Sequence, residues 1–302
     1  MTNKLKLLNI WQLYAMLTLP IVYLLIFKYY PMYGAIISFK DYSAVQGIIG
    51  SEWVGLKHFT RFIMSHDFWT IMWNTISLSF YQLIAGTPFP IILALCLNYA
   101  RNKVFKNTVQ MISYAPHFIS VVVMVGILMQ FLAPRTGLVA SLASLFGFSI
   151  GNWMGNPDYF QSIYVWSGIW QNVGFSCIIY LAGLAGIDPS LHEAAVVDGA
   201  SKLRRMWHID LPGILPIVII LLIMNVGNMM EIGFEKVLLM QNPLNLRASE
   251  VIDTYVYKVG LVSPIANFSY SSAIGVFKNV VNLLLLVMVN QLARRAKQTS
   301  LW

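Results

Sequence analysis

A chain of 302 residues that is 58% hydrophobic and 11% charged carries less than half the charged fraction of a soluble domain of this length, which is about a quarter. That excludes a water-soluble enzyme and reads as a polytopic membrane protein, in which a net charge of +8 is no nucleic-acid footprint, because cytoplasmic membrane loops collect Lys and Arg. Cys96 and Cys177 fall inside apolar runs and the five histidines are scattered, which gives neither a disulfide framework nor metal-ligand spacing.

Lys4 and Lys6 precede an apolar run over 11–27. It is longer than a signal-peptide apolar region and is followed by Tyr29, Tyr30 and Pro31 without a small-residue cleavage site, so a retained first span is expected. Residues 30–70 form an expected extracellular loop whose Phe39, Asp41, Tyr42, Trp53, Phe59, Phe68 and Trp69 have the aromatic density of a packed cap or an interfacial belt. Further runs long enough for a hydrocarbon core of about 30 Å lie at 71–97, 108–132, 163–186, 211–230 and 271–292. The prediction is an all-α protein with six transmembrane helices in one domain over 1–302. Lipid offers no partner to an unpaired backbone, and no stretch alternates like a barrel strand.

Gly86, Pro88 and Pro90 fall in the second span, Pro116 in the third, Gly174 in the fourth, and Pro216 and Gly227 in the fifth. Each is explained by helix packing alone; together they suit a bundle that bends. The basic residues give an orientation. Lys4 and Lys6, then Arg101, Lys103 and Lys106, then Lys202, Arg204 and Arg205, then Arg294, Arg295 and Lys297 make eleven of the twenty Lys and Arg, all on one side of the predicted spans. By the positive-inside rule those segments and both termini are cytoplasmic.

On that side lies a polar island, 193–212, reading EAAVVDGASKLRRMWHIDLP. Asp188 before Pro189 is a helix entry, Ser190 and Glu193 have capping-box spacing, and Gly199 is a stop. A helix this short is marginal alone and rests on the membrane helices or on a partner. Ala194, Ala195 and Ala200 keep its surface thin enough for another backbone. An ordinary connecting loop with a capped helix is the plain alternative.

Polar groups inside spans are costly unless they face a cavity or one another. Asn225, Asn228, Glu231 and Glu235 share one side at helical period in the fifth span; Trp166, Trp170, Gln171, Asn172 and Phe175 join aromatic faces to amides in the fourth. That combination suits sugars, whose C–H faces stack on rings and whose hydroxyls bond amides and carboxylates. The alternative is interhelical glue worth about 0.6 kcal/mol per bond. Lys278, beside Asn279 and Asn282, is expected to snorkel, to pair with Glu231 or Glu235, or to meet an anionic ligand such as a uronate. No G-x-x-x-x-G-K-[ST] loop, G-x-S-x-G elbow or H-E-x-x-H helix occurs, so catalysis and direct ATP binding are not expected of this chain.

Glu193, Ala194, Ala195, Gly199, Ile209, Leu211 and Pro212 fill the fixed positions of the EAA pattern, and the chain so resembles the permeases of binding-protein-dependent ABC importers. The outer segment resembles sugar permeases of the maltose and glycerol-phosphate type. Tyr114 to Ser120, reading YAPHFIS, resembles their subgroup that works with lipoprotein binding proteins and imports complex oligosaccharides. The resemblance implies the type I importer permease fold in a bacterial cytoplasmic membrane. It implies a coupling loop at 188–212 that docks ATPase subunits, with ATP and Mg bound there and no cofactor on this chain. Implied partners are a second permease in a heterodimer, two ATP-binding subunits, an extracellular lipoprotein sugar-binding protein, membrane lipid and an oligosaccharide. The resemblance also implies a ligand position between the fourth and fifth spans; the candidates for that path, read from the polar and aromatic pattern above, are Trp170, Gln171, Asn172, Phe175, Asn225, Asn228 and Glu231, with Lys278 on the sixth. Rival readings are a permease for peptides, amino acids or phosphate esters, and a membrane enzyme or passive channel that needs no ATPase.

Overall fold

The computed structural model describes residues 11–149, 151–296 and 299–301; Lys4, Lys6 and Lys297, counted above among the inner charges, lie outside them. Among the described residues five helices are long and apolar enough to cross a membrane: Trp11–Phe39, Phe68–Tyr99, Pro157–Ala185, Lys202–Gly227 and Phe268–Arg295. A sixth candidate is a pair, Lys103–Phe118 and Val121–Phe131, whose members meet at 100°. The expectation of a continuous span at 108–132 is therefore corrected to a broken one, for a local reason. Pro116 cannot donate to a helical ladder, the chain tightens into a 3₁₀ turn over Ala115–Phe118, and Ile119 is extended. Ser120 then starts the next helix by accepting from the Val123 amide at 3.4 Å.

The chain divides into two compact units. One comprises Met1–Ser65 and Val256–Phe277. Its helix α1 (Trp11–Leu24) has no buried residue. A short antiparallel hairpin follows, β1 (Lys40–Asp41) against β2 (Glu52–Trp53), with Lys40 opposite Trp53. Part of the aromatic set packs, while Trp69 stays exposed. Phe39 stacks on Trp53 with centroids 5.7 Å apart, and Phe62 of α2 (Lys57–Ile63) is buried between Tyr270 and Phe277 at 6.4 and 5.6 Å. Asp41 binds the Lys57 ammonium at 2.5 Å, and that hydrogen bond holds its carboxyl below the usual range.

The second unit comprises His66–Tyr255 and Lys278–Trp302. The span Phe68–Tyr99 is two helices, α3 (Phe68–Gly86) and α4 (Pro88–Tyr99), joined at Thr87. Next come α5 (Lys103–Tyr114), α6 (Val121–Phe131) and α7 (Leu138–Leu145). The central element is α8 (Pro157–Ala185), which starts where Pro157 takes the first helical position and Asn156 accepts from the Asp158 amide at 3.0 Å. It packs along α4 and also against α3 and α5. Between lipid-soluble helices the gain comes from close packing, and Gly174 of α8 permits it: a Cβ there would overlap the Ser113 and Tyr114 backbone of α5.

After α9 (Pro189–Val197) and the single turn α10 (Lys202–Arg205), a widened turn over Met206–Asp210 leads into α11 (Leu211–Gly227). The expected fifth span of 211–230 is thus shifted: its helix begins at Lys202 and stops at Gly227. Past it come α12 (Phe234–Met240), α13 (Leu246–Ser249) and α14 (Ile252–Tyr257), then α15 (Phe268–Arg295). Apolar clusters among the described residues hold this unit. Leu78, Val125, Phe160, Val165, Val237 and Val251 make one; Ala94, Leu97, Cys177, Tyr180, Leu184, Ile214 and Val218 make another.

Candidate functional site

The polar island folds as two helical pieces around a corner. Asp188, not Ser190, caps α9, accepting from the Ser190 amide at 2.9 Å, a bond that lowers its carboxyl pKa. The helix ends as Gly199 adopts φ +73°. The Gly199 amide donates to the Val196 carbonyl at 3.0 Å and the Ala200 amide to the Ala195 carbonyl at 2.8 Å, the paired bonds of a left-handed C-cap that glycine adopts without strain. Glu193, Ala194 and Gly199 are exposed and Ala195 half-buried. Ile209 and Leu211 are half-buried in the helix entry, with Pro212 exposed in the first turn of α11. The residues of the EAA pattern therefore form an exposed short helix, a glycine corner and the root of the next span.

A cavity of about 570 Å³ opens among α3, α4, α8 and α11, within the range of ligand pockets. Of the predicted residues it brings together Asn172, Phe175, Asn225, Asn228 and Glu231. It does so differently from the expected helical stripe: α11 stops at Gly227, Asn228 caps it, and Glu231 follows in the turn beyond. Glu235 lies in α12 and is not on the cavity wall. Trp170 is exposed away from the cavity. Gln171 is buried and donates to the Ile119 carbonyl at 2.9 Å, so its amide supports the break before α6.

Lys278 corrects another expectation. Its ammonium meets Asp253 at 2.6 Å, both side chains largely shielded, and pairs with neither Glu231 nor Glu235. Helix α14 carries this acid, which the sequence reading left unconsidered because it lies outside every apolar run.

Several wall residues were not singled out from sequence. Ser79, Gln82 and Thr87 line the cavity from α3 and the bend after it, and the polar letters inside 71–97 were the available signal. His117, just before the helix break, lies flat on Phe175 with centroids 3.9 Å apart and 5° between planes. Its Nδ1 donates to Asn172 Oδ1 at 2.9 Å, while Asn172 Nδ2 donates to the Gly168 carbonyl at 3.0 Å. One wall thus presents an aromatic ring beside an oriented amide. Behind Gly168, itself on the wall, Lys236 is buried. Its ammonium donates to the Tyr164 carbonyl at 2.9 Å and sits 4.6 Å above that ring, with no carboxylate in ion-pair range among the described residues. It is 3.3 Å from where a Gly168 Cβ would stand. Among the described residues no group of His, Cys, Asp and Glu is arranged to hold a metal.

Comparison with known proteins places this geometry. The chain is 43% identical over 297 residues to the polygalacturonan/rhamnogalacturonan transport system permease protein YteP of Bacillus subtilis, covering 98% of this chain and 92% of that one. It is 42% identical over 291 residues to the B. subtilis protein LplB, covering 96% and 91%. A chain in the crystal structure of a bacterial alginate ABC transporter, in complex with alginate pentasaccharide-bound periplasmic protein, superposes with a TM-score of 0.89 at 36% identity over 98% of both chains. Residues 86–298, which include the α4, α8 and α11 sides of the cavity and the glycine corner, match the family described as binding-protein-dependent transport system inner membrane component. The chain belongs to that family, as one of its multi-pass membrane permeases.

Proposed function

We propose that this permease passes oligosaccharides, delivered by an extracellular binding protein, through the 570 Å³ cavity beside α8 and α11. The observation that carries the cargo is the wall itself, where the Phe175 ring and the Asn172, Asn225 and Asn228 amides converge. Rings and amides at one surface match the apolar faces and hydroxyl edges of pyranoses. Relatives named for polygalacturonan/rhamnogalacturonan and alginate transport support this cargo class over peptides, amino acids or phosphate esters.

The machinery follows from the exposed island. The chain pairs with a second, related permease, and two ATP-binding subunits dock on 188–212, where Glu193 meets a cation of the ATPase in a charge-assisted bond. ATP and Mg belong to those subunits; this chain performs no chemistry. Closure of the ATPases moves the docking helices and exposes the cavity alternately to each side. The orientation that follows has both termini and the island in the cytosol and 30–70 outside. Co-purification in mild detergent tests this assembly: a nucleotide-binding subunit is expected with the chain, and its consistent absence favours a channel or a membrane enzyme.

A specific observation favours acidic oligosaccharides. Lys236 is a buried cation behind the cavity wall with no counter-ion among the described residues, and a uronate carboxylate in the cavity would supply one. Uptake by cells carrying Lys236→Met is expected to fall for oligouronates and to hold for neutral oligosaccharides; equal loss of both removes the preference.

A further inference from the structure

The EAA positions leave unassigned a polar knot on the inner side of α9. Asp210 is the only fully buried carboxylate among the described residues, and a buried carboxylate persists only where partners compensate its desolvation. Its Oδ2 accepts from the Tyr99 hydroxyl at 2.7 Å. Its Oδ1 stands 3.3 Å from His192 Nε2, in ion-pair range when the imidazole is protonated but without hydrogen-bond alignment. Arg205 lies 5.6 Å over the Tyr99 ring, with its Nε buried and unpartnered.

Three elements meet at this one side chain. His192 belongs to α9, Tyr99 is the last residue of α4, and Asp210 is the last residue before α11. Helix α9 has no fully buried residue, so apolar packing gives it little grip on the helices behind it, whereas His192, half-buried like Ala195, reaches the Asp210 carboxylate there. The joint across which α9 must move is also the one whose bond is out of line; the Tyr99 bond, between two spans, is well formed.

We propose that Asp210 is a positioning residue of the transport cycle, tying α9 through His192 to the inner ends of α4 and α11 so that a push on α9 reaches both spans. This rests on the reading of α9 as the docking helix. The competing route is the backbone: Ile187, which leads into α9, packs on Gly213 and carries force without Asp210.

The test uses the assembled complex in lipid nanodiscs, with Cys96 and Cys177 replaced by alanine and single nitroxide labels at Val197, exposed on α9, or Ile84, exposed on α3. Spectra are compared before and after trapping with ATP and vanadate. In the parent both labels are expected to change. In Asp210→Asn, and in Tyr99→Phe should the first variant not fold, the ATP-binding subunits still co-purify and Val197 still responds, while the change at Ile84 is lost. An undiminished change at Ile84 in either folded variant overturns the proposal, as does a parent in which Val197 responds and Ile84 does not. A parent in which Val197 itself is silent contradicts the docking reading instead, which keeps the two failures apart.

Discussion

A half-buried lysine and a buried one illustrate how one charge takes different roles. Lys278 has its acid at 2.6 Å. Removing either partner of such a shielded pair typically costs about 3–5 kcal/mol, because the survivor is stranded, whereas removing both is far milder. Lys278→Met is therefore expected to lower the unfolding midpoint strongly and Lys278→Met with Asp253→Leu to recover most of the loss; a double variant as unstable as the single one contradicts the pairing. Lys236, on α12 outside the spans, has no such acid among the described residues, and burial pushes its amine down to about 8 from its ordinary 10.5. Between those values the unfolded chain holds a proton that the folded chain has shed, so stability rises with pH across that window. Below pH 8 both forms are protonated and the burial cost stands in full. Thermal unfolding of the parent against Lys236→Met is expected to show the parent gaining as pH rises from 8 towards 10; a constant difference rules out this role for burial.

At the scale of elements, two glycines do different work. Gly199 has open space around it but φ +73°, a backbone that costs an L-residue about 1–2 kcal/mol and a β-branched one more. Gly199→Val is expected to unwind the corner and abolish substrate-stimulated ATP hydrolysis in the assembled complex, read by phosphate release; normal stimulation refutes the role of the corner. Gly174 has an ordinary backbone but no room. Gly174→Ala is expected to force α5 from α8 and cost about 1–3 kcal/mol as overpacking does, measurable as a lower thermal midpoint of the purified permease. An unchanged midpoint contradicts the close approach.

These elements also mark what sequence made legible. Helix ends written in local chemistry could be read: Asp188 and Pro189 opening α9, Gly199 closing it. The apolar runs located every long helix, since lipid leaves the backbone one solution. Less legible was where a run stops being one helix. Pro116 sat in plain view, but a proline in a membrane helix is compatible with a kink or a full break, and the 100° turn depends on Gln171 reaching Ile119 from another helix. The substrate wall was half legible for the same reason. Asn225, Asn228 and Glu231 were found by helical period, yet Glu235 leaves the wall because the helix ends at Gly227 and the period no longer holds. Lys278 was assigned to the wrong carboxylate because distance along a helix says nothing about a neighbour such as α14.

For the whole molecule, the account joins a sugar-sized cavity to an exposed helix that nucleotide hydrolysis moves. The most direct measurement is photocrosslinking from position 194 on α9 in intact cells expressing the full importer, with a matching probe at position 53 on the hairpin. The account predicts a product between position 194 and an ATP-binding subunit and none of that kind from position 53. A probe at position 194 that captures only lipid or an extracellular protein would contradict it.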